Sequence, residues 1–209
     1  MAVKKKTAAK KAPAKKTAPK KKTTPRKLTR TLPGDKPKGT DITSMIRVNH
    51  AGEYGARRIY QGQLSVLGHD PRLKKLLEHM AEQEEVHLAY FENELVERRV
   101  RPSAFHPIWH VAGFALGAAT ARISPEAAMA CTVAVETVIA EHYQSQLDAL
   151  DGNADEKKLR TAIAKFKAEE EEHLDIGIEN DAEKAQAYPL LSGMIRAGTR
   201  LVIEIAKRM

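Results

Sequence analysis

The 209-residue chain is poor in three features that would point to other kinds of protein. Its single cysteine, Cys131, excludes an internal disulfide, argues against a thiolate-rich zinc or iron–sulfur site within one chain, and fits a reducing compartment. The longest apolar stretch, Trp109 to Ala121, contains a histidine and is shorter than the roughly 18 to 20 apolar residues of a membrane-spanning helix. No segment shows the pattern of a strand. The sequence therefore predicts an all-α protein that does not span a bilayer.

Acidic residues are missing from residues 1–34, which contain 13 lysines and arginines. Lysine, alanine, proline and threonine repeat there with almost nothing to bury, so residues 1–40 are predicted to be a disordered basic tail. Such a tail is compatible with simple solvation, with anionic lipid and with nucleic acid. A mitochondrial presequence is a further interpretation, which is disfavoured because Pro13, Pro19 and Pro25 would interrupt an amphipathic helix.

Residues 41–209 differ from the basic tail in charge and in the pattern of their residues, and they are predicted to form one domain. Only 22 of the 35 basic residues lie after residue 34, against all 27 acidic ones, so residues 35–209 carry a net charge of −5 although the whole chain carries +8. Helical periodicity predicts four long helices and two additional ones. The predicted ranges are 43–67, 71–97, 108–121, 125–150, 154–182 and 188–207. Ser124 is the predicted cap of the fourth, with Pro125 at its first position.

A pattern of metal-binding residue types occurs twice along these helices. Glu53 is followed 31 residues later by the first residue of Glu84-x-x-His87, and Glu136 is followed 34 residues later by that of Glu170-x-x-His173. Residues three apart share one face of a helix, so each Glu-x-x-His pair can reach one ion. Two helices with one Glu each and two with Glu-x-x-His are what a four-helix bundle uses to hold two iron or manganese ions. The chain is therefore predicted to form a two-metal site.

Glu136 supports this interpretation because no other charged residue lies within four positions of it. A buried carboxylate without a partner costs several kcal/mol, which coordination of a cation removes. The neighbouring acids are instead predicted to lie on solvated faces, and these are Glu82, Glu85, Glu169, Glu171 and Glu172. His142 and Tyr143 follow Glu136 by two turns, where Tyr143 either belongs to the core or lines a pocket beside the metals.

Several strings around these residues closely resemble the demethoxyubiquinone hydroxylases of ubiquinone biosynthesis. The resemblance covers residues 41 to 209 and excludes the basic tail. Its strings are Asn49-His50-Ala51-Gly52-Glu53-Tyr54-Gly55-Ala56, Arg101-Pro102, Gly113-Phe114-Ala115-Leu116-Gly117, Ala130-Cys131-Thr132-Val133-Ala134-Val135-Glu136 and Glu170-x-x-His173-x-Asp175-Ile176-Gly177.

The resemblance implies a ferritin-like di-iron monooxygenase that uses O₂ to hydroxylate the ring of a polyprenylated demethoxyubiquinone. By position, it implies that Glu53, Glu84 and His87 bind one iron and that Glu136, Glu170 and His173 bind the other, with Glu84 and Glu170 bridging. Iron storage and peroxide reduction are the alternatives for a ferritin-like protein. Storage needs a hollow shell, and the rubrerythrin-like peroxide reductases carry a four-cysteine iron site that one cysteine cannot provide.

A polyprenyl substrate implies contact with a membrane surface. Residues 108–121 and 190–205 are the candidate membrane-facing segments, and the alternative is that they pack on each other or in a homodimer. The expected location is the cytoplasmic face of a bacterial membrane, or else the matrix face of the mitochondrial inner membrane. An electron donor, and a homo-oligomer or a complex with other ubiquinone-biosynthesis proteins, are the remaining expected partners.

Overall fold

The computed structural model describes residues 41–208, and every regular element in this part of the chain is helical. Six α-helices follow one another: α1 (Ile42–Leu67), α2 (Pro71–Arg98), α3 (His106–Ile123), α4 (Pro125–Ala149), α5 (Lys157–Glu179) and α6 (Tyr188–Arg208). The prediction of an all-α protein is confirmed. The predicted basic tail, residues 1–40, lies outside the described residues.

Side-chain caps explain where two of the helices begin. The Asp70 carboxylate accepts hydrogen bonds from the backbone N–H groups of Arg72 (2.8 Å) and Leu73 (3.1 Å) at the start of α2. Ser124 accepts one from the N–H of Ala127 (3.1 Å), and Pro125 is the first residue of α4. The predicted start of α4 is therefore confirmed.

The predicted bounds of two helices were wrong. Helix α3 begins at His106 and not at residue 108, because Pro107 lies in the first turn, where its missing N–H has no helical partner to lose. Helix α5 covers Lys157–Glu179 and not 154–182. Asn153 caps a separate 3₁₀ turn, Ala154–Glu156, before it, and Asp181 adopts a left-handed conformation (φ 67°) after it.

The helices pack so that α1 contacts α2 and α3, while α4 contacts α5 and α6. Helices α1 and α3 approach each other closely through glycines. A Cβ atom on Gly62 would overlap the carbonyl oxygen of Phe114, and one on Gly117 would overlap that of Ile59. Small residues therefore set the distance between these two helices.

No helix within residues 41–208 combines the length and the apolar character needed to cross a membrane. Helices α3 and α6 nevertheless expose large apolar side chains. These are Ile108, Val111 and Ile123 on α3, and Leu190, Met194 and Leu201 on α6, each more than half exposed.

Candidate metal centre

The six side chains of the repeated pattern meet in the interior. Glu53 comes from α1, Glu84 and His87 from α2, Glu136 from α4, and Glu170 and His173 from α5, and none is more than 1% exposed. Their ligand atoms form two groups, in each of which all atoms lie within 4.8 Å of one another. One group is Glu53, Glu84, His87 and Glu170, and the other is Glu84, Glu136, Glu170 and His173. Glu84 and Glu170 belong to both groups.

The two imidazoles face the shared carboxylates through the same ring atom. His87 Nδ1 lies 3.1 Å from Glu170 Oε1 and 3.9 Å from Glu84 Oε2. His173 Nδ1 lies 3.2 Å from Glu170 Oε2 and 3.4 Å from Glu84 Oε1. Glu53 Oε2 completes the first group at 3.3 Å from His87 Nδ1. The arrangement is that of two adjacent ion sites with two common carboxylates.

The ligand atoms of this cluster make no hydrogen bonds, although they are fully buried. The atoms are Glu53 Oε2, both oxygens of Glu84, His87 Nδ1, Glu136 Oε2, both oxygens of Glu170, and His173 Nδ1. Buried polar atoms without hydrogen bonds are rare and destabilising, so a converging group of them fits bound cations. Carboxylate oxygen and imidazole nitrogen are a donor set that suits iron and manganese.

Burial and the neighbouring carboxylate of Glu170 raise the pKa values of Glu84 and Glu136 well above the usual range. Burial alone would lower the pKa of His87, but the close carboxylates of Glu170 and Glu53 outweigh it and raise the value to about 12. The pKa of Glu170 falls to about 2, because the two imidazoles outweigh the effect of its burial. Without cations, protons therefore compensate the negative charge of the carboxylates. Bound cations would displace these protons.

The outer nitrogen of each imidazole is held by a residue from the opposite motif. His87 Nε2 lies 2.9 Å from Glu169 Oε2, and His173 Nε2 lies 2.8 Å from Gln83 Oε1. Because both partners accept, each ring donates from Nε2, which leaves Nδ1 facing the cluster as the atom that would bind a cation once it has lost its own proton. The prediction that Glu169 lies on a solvated face was therefore wrong: it is half-buried between His87 and Lys165.

Gln83 and Glu169 occupy equivalent positions in the two motifs, and the prediction from sequence did not recognise this. Each directly precedes the shared glutamate of its motif, Glu84 or Glu170. The other acids behave as predicted: Glu82, Glu85, Glu171 and Glu172 are exposed.

Two tyrosines hold the remaining carboxylates. Tyr60 donates to Glu136 Oε1 (2.7 Å), and Tyr143 donates to Glu53. Each tyrosine lies seven residues after the glutamate of its own helix, Glu53 or Glu136, and bonds the glutamate of the other helix. Tyr60 was missed as a site residue, although this shared spacing was visible in the sequence.

Tyr143 also lines a cavity of about 590 Å³ between α1, α3, α4 and α6. The cavity is walled mainly by hydrocarbon and reaches the centre at Glu53, and Glu136 is not part of its lining. Tyr143 is thus both a core residue and a cavity residue. His142 lines the same cavity, and burial together with the charge of Lys207 lowers its pKa to about 4. Of the six candidate ligands, Glu53 alone borders this cavity.

The polar lining of this cavity includes Asn49, which the sequence analysis did not single out as a site residue. Asn49 and Gln146 exchange two hydrogen bonds, and Gln146 also contacts His142. These contacts join α1 to α4 and could not be inferred from either helix alone.

Residues 40–206 match the sequence profile of the family described as "Ubiquinone biosynthesis protein COQ7". The chain is 51% identical over 178 residues to the 3-demethoxyubiquinol 3-hydroxylase of Rhodospirillum rubrum, which covers 85% of this chain and 83% of that protein. It is 48% identical over 170 residues to the mitochondrial NADPH-dependent 3-demethoxyubiquinone 3-hydroxylase of Homo sapiens (80% and 78% covered). It is 44% identical over 182 residues to the mitochondrial 5-demethoxyubiquinone hydroxylase of Saccharomyces cerevisiae (80% and 78% covered).

Proposed function

Because the chain belongs to the family of the ubiquinone biosynthesis protein COQ7, we propose that it is a di-iron monooxygenase of this pathway. The chain is a hydroxylase, and its substrate is a demethoxyubiquinone or the corresponding quinol. The observation that carries the di-iron assignment is the group of buried ligand atoms without hydrogen bonds in the centre. Four carboxylates would offset the charge of two ferrous ions, leaving a neutral core.

We assign the ligands by the two groups of converging atoms. Glu53 and His87 would hold one iron, Glu136 and His173 would hold the other, and Glu84 and Glu170 would serve both sites. Bound iron supplies the reaction with O₂, which places one oxygen atom on the ring and releases the other as water at the expense of two electrons from an external donor.

The protein's own residues orient the centre and shape the space beside it. Glu169 and Gln83 keep both imidazole rings in one tautomer, and Tyr60 and Tyr143 hold the outer carboxylates. The apolar cavity binds the substrate ring with the adjoining part of its prenyl chain and excludes water from the reacting carbon.

The same cavity favours oxygenation over iron storage or peroxide reduction. Iron ions and peroxide are small and polar, so neither of those activities needs an apolar space of this size next to the metals. Of the six candidate ligands only Glu53 lines the cavity, so the ring would lie at one end of the centre.

We propose further that α1, α2, α4 and α5 form a ferritin-like four-helix bundle, with α3 and α6 as additional membrane-facing helices. The four helices supply all six ligands, and α3 and α6 carry the exposed apolar side chains. Met194 and Leu201 of α6 are both exposed and part of the cavity lining. A prenyl chain would enter from a lipid surface at this place, whether the membrane is bacterial or mitochondrial.

The test compares iron content and hydroxylation of demethoxyubiquinone in the wild-type protein, Glu136→Ala and Glu141→Ala. Glu141 is a matched control because it lies on the same helix but is exposed and paired with Arg200. The wild type and Glu141→Ala should bind about two iron ions and turn over, whereas Glu136→Ala should lose iron and activity. A wild type without iron, or Glu136→Ala with two irons and full turnover, would contradict the proposal.

A further inference from the structure

A buried amide network lies in the wall of the apolar cavity. Asn49 Nδ2 donates to Gln146 Oε1 (2.9 Å), and Gln146 Nε2 donates back to Asn49 Oδ1 (2.6 Å). The same Gln146 Nε2 lies 2.7 Å from His142 Nε2. Asn49 and Gln146 are each 3% exposed, and Asn49 and His142 line the cavity. Gln146 thus holds two of the polar side chains that line the cavity.

The other half of the centre provides an internal comparison for this network. Asn49 lies four residues before Glu53, and Thr132 lies four residues before Glu136; Gln146 lies ten residues after Glu136, and Gln63 ten after Glu53. Gln63 Nε2 donates to the carbonyl of Ala128 (3.0 Å) and to Thr132 Oγ1 (3.4 Å). Both halves therefore use a buried glutamine to join α1 to α4.

The two arrangements differ in what the glutamine holds. Gln63 and Thr132 are not part of the cavity lining. The position of His142, six residues after Glu136, is taken by Ile59 six residues after Glu53. Joining α1 to α4 requires neither an asparagine nor a histidine, because Gln63 joins these helices without either residue. Both extra polar groups, Asn49 and His142, line the cavity.

The network also determines which N–H groups of Asn49 and His142 are available to a ligand. Because Gln146 donates to His142 Nε2, a neutral His142 carries its proton on Nδ1. The low pKa of His142 keeps the ring neutral at pH 7. Asn49 uses one Nδ2 hydrogen on Gln146, and the second has no acceptor among residues 41–208. The cavity wall thus holds two N–H donors in hydrocarbon surroundings.

We propose that Asn49 and His142 recognise the ring oxygens of the quinone by hydrogen bonding, and that Gln146 is the positioning residue that holds both of them. A benzoquinone ring carries two carbonyl acceptors, and its prenyl chain matches the rest of the cavity. This assignment deepens the hydroxylase function proposed above and rests on it. In an apolar site, a few fixed donors give most of the discrimination between similar ligands.

The test measures whether the network recognises the ring specifically. The probes are a short-chain demethoxyubiquinone and an alkylbenzene with the same chain, which lacks ring oxygens. Quinone binding is followed by quenching of Trp109, the chain's single tryptophan, which lines the cavity. Alkylbenzene binding is followed by equilibrium dialysis. The variants are Asn49→Leu and Gln146→Met, with Thr132→Val and Gln63→Met as matched controls from the other half.

Asn49→Leu and Gln146→Met should each weaken quinone binding about tenfold, as expected for a lost buried hydrogen bond, with alkylbenzene binding within about twofold of wild type. KM for the quinone should rise about tenfold while kcat changes less, and iron content should stay at the wild-type level. Thr132→Val and Gln63→Met should bind both probes as the wild type does.

Unchanged quinone binding in both cavity-side variants would overturn the proposal. So would equal losses for quinone and alkylbenzene, or equal losses in the control variants, because these indicate a general packing role. If the wild type distinguishes the two probes through Asn49 but does not hydroxylate the quinone, the hydroxylase function fails and the recognition site stands.

Discussion

The centre has two halves, one on α1 and α2 and the other on α4 and α5. The candidate ligands of the two halves match, whereas some of the residues around them differ. Both have a glutamate, a tyrosine seven residues after it, and a Glu-x-x-His motif whose preceding residue holds the histidine of the other half. They differ in that preceding residue, which is Gln83 in one and Glu169 in the other. They differ also in access, since only Glu53 borders the cavity.

The difference separates two requirements. The proposed centre for two similar ions would need similar ligands, and the inner positions do match in both halves. A reaction with a single ring requires that the two halves differ, because the ring lies at one side of the centre. The positions that differ are those that line the cavity and those that hydrogen-bond to the outer nitrogen of a histidine. A carboxylate such as Glu169 draws the imidazole proton more strongly than an amide does, making His87 the more basic ligand.

The largest expected effect tests the shared ligands. Glu84→Ala and Glu170→Ala should each remove about two iron ions per chain, because in the proposed centre each carboxylate would serve both ions, whereas Glu53→Ala should remove about one. Iron per chain after anaerobic reconstitution measures this. Glu172→Ala is the control, since Glu172 is exposed on the same helix as Glu170. If a bridging variant keeps as much iron as Glu53→Ala, the two ion sites do not share these carboxylates.

A smaller effect is expected from making the outer partners alike. Glu169→Gln should weaken iron binding beside His87 by about 10- to 100-fold and bring the Mössbauer parameters of the two ions closer together. Competition with a chelator gives the affinity. Gln83→Glu is the reciprocal variant and should also make the ions more alike, by strengthening the ligand His173. Spectra identical to wild type in both variants would show that the outer partners do not distinguish the ions.

The smallest expected effect concerns His142 and its counterpart Ile59. Burial, with a contribution from Lys207, lowers the pKa of His142 from 6.5 to about 4 in the folded protein. Between these values the unfolded chain binds more protons, so the contribution of His142 to stability is complete above pH 6.5 and is lost as the pH falls towards 4.

His142→Ile should therefore make the free energy of unfolding of the iron-free protein less dependent on pH in this interval. Urea unfolding at pH 4.5 and pH 7 measures the difference, and His79→Ile is the control because His79 is exposed. An unchanged pH dependence in His142→Ile would show that this imidazole titrates alike in the folded and unfolded states.

Much of the centre was accessible from the sequence because its residues repeat at helical spacing. Glu84 with His87, and Glu170 with His173, were placed on single faces by a rule that needs no neighbour. Tyr60 and Gln83 obey the same repeat, yet their roles depend on which helix lies opposite. Glu169 was assigned to solvent for this reason: its burial comes from α2, which its own helix does not reveal.

The order of the helices, the six converging side chains and the isolation of Glu136 in an apolar segment were determined by the sequence, since local periodicity and residue chemistry suffice for them. The exchange of outer partners between the two motifs, the amide network of Gln146 and the cavity beside Glu53 were decided by the tertiary structure alone. Each joins residues from different helices, and their meeting depends on the rotation and spacing at which those helices pack, including the close approach of α1 and α3 at Gly62 and Gly117.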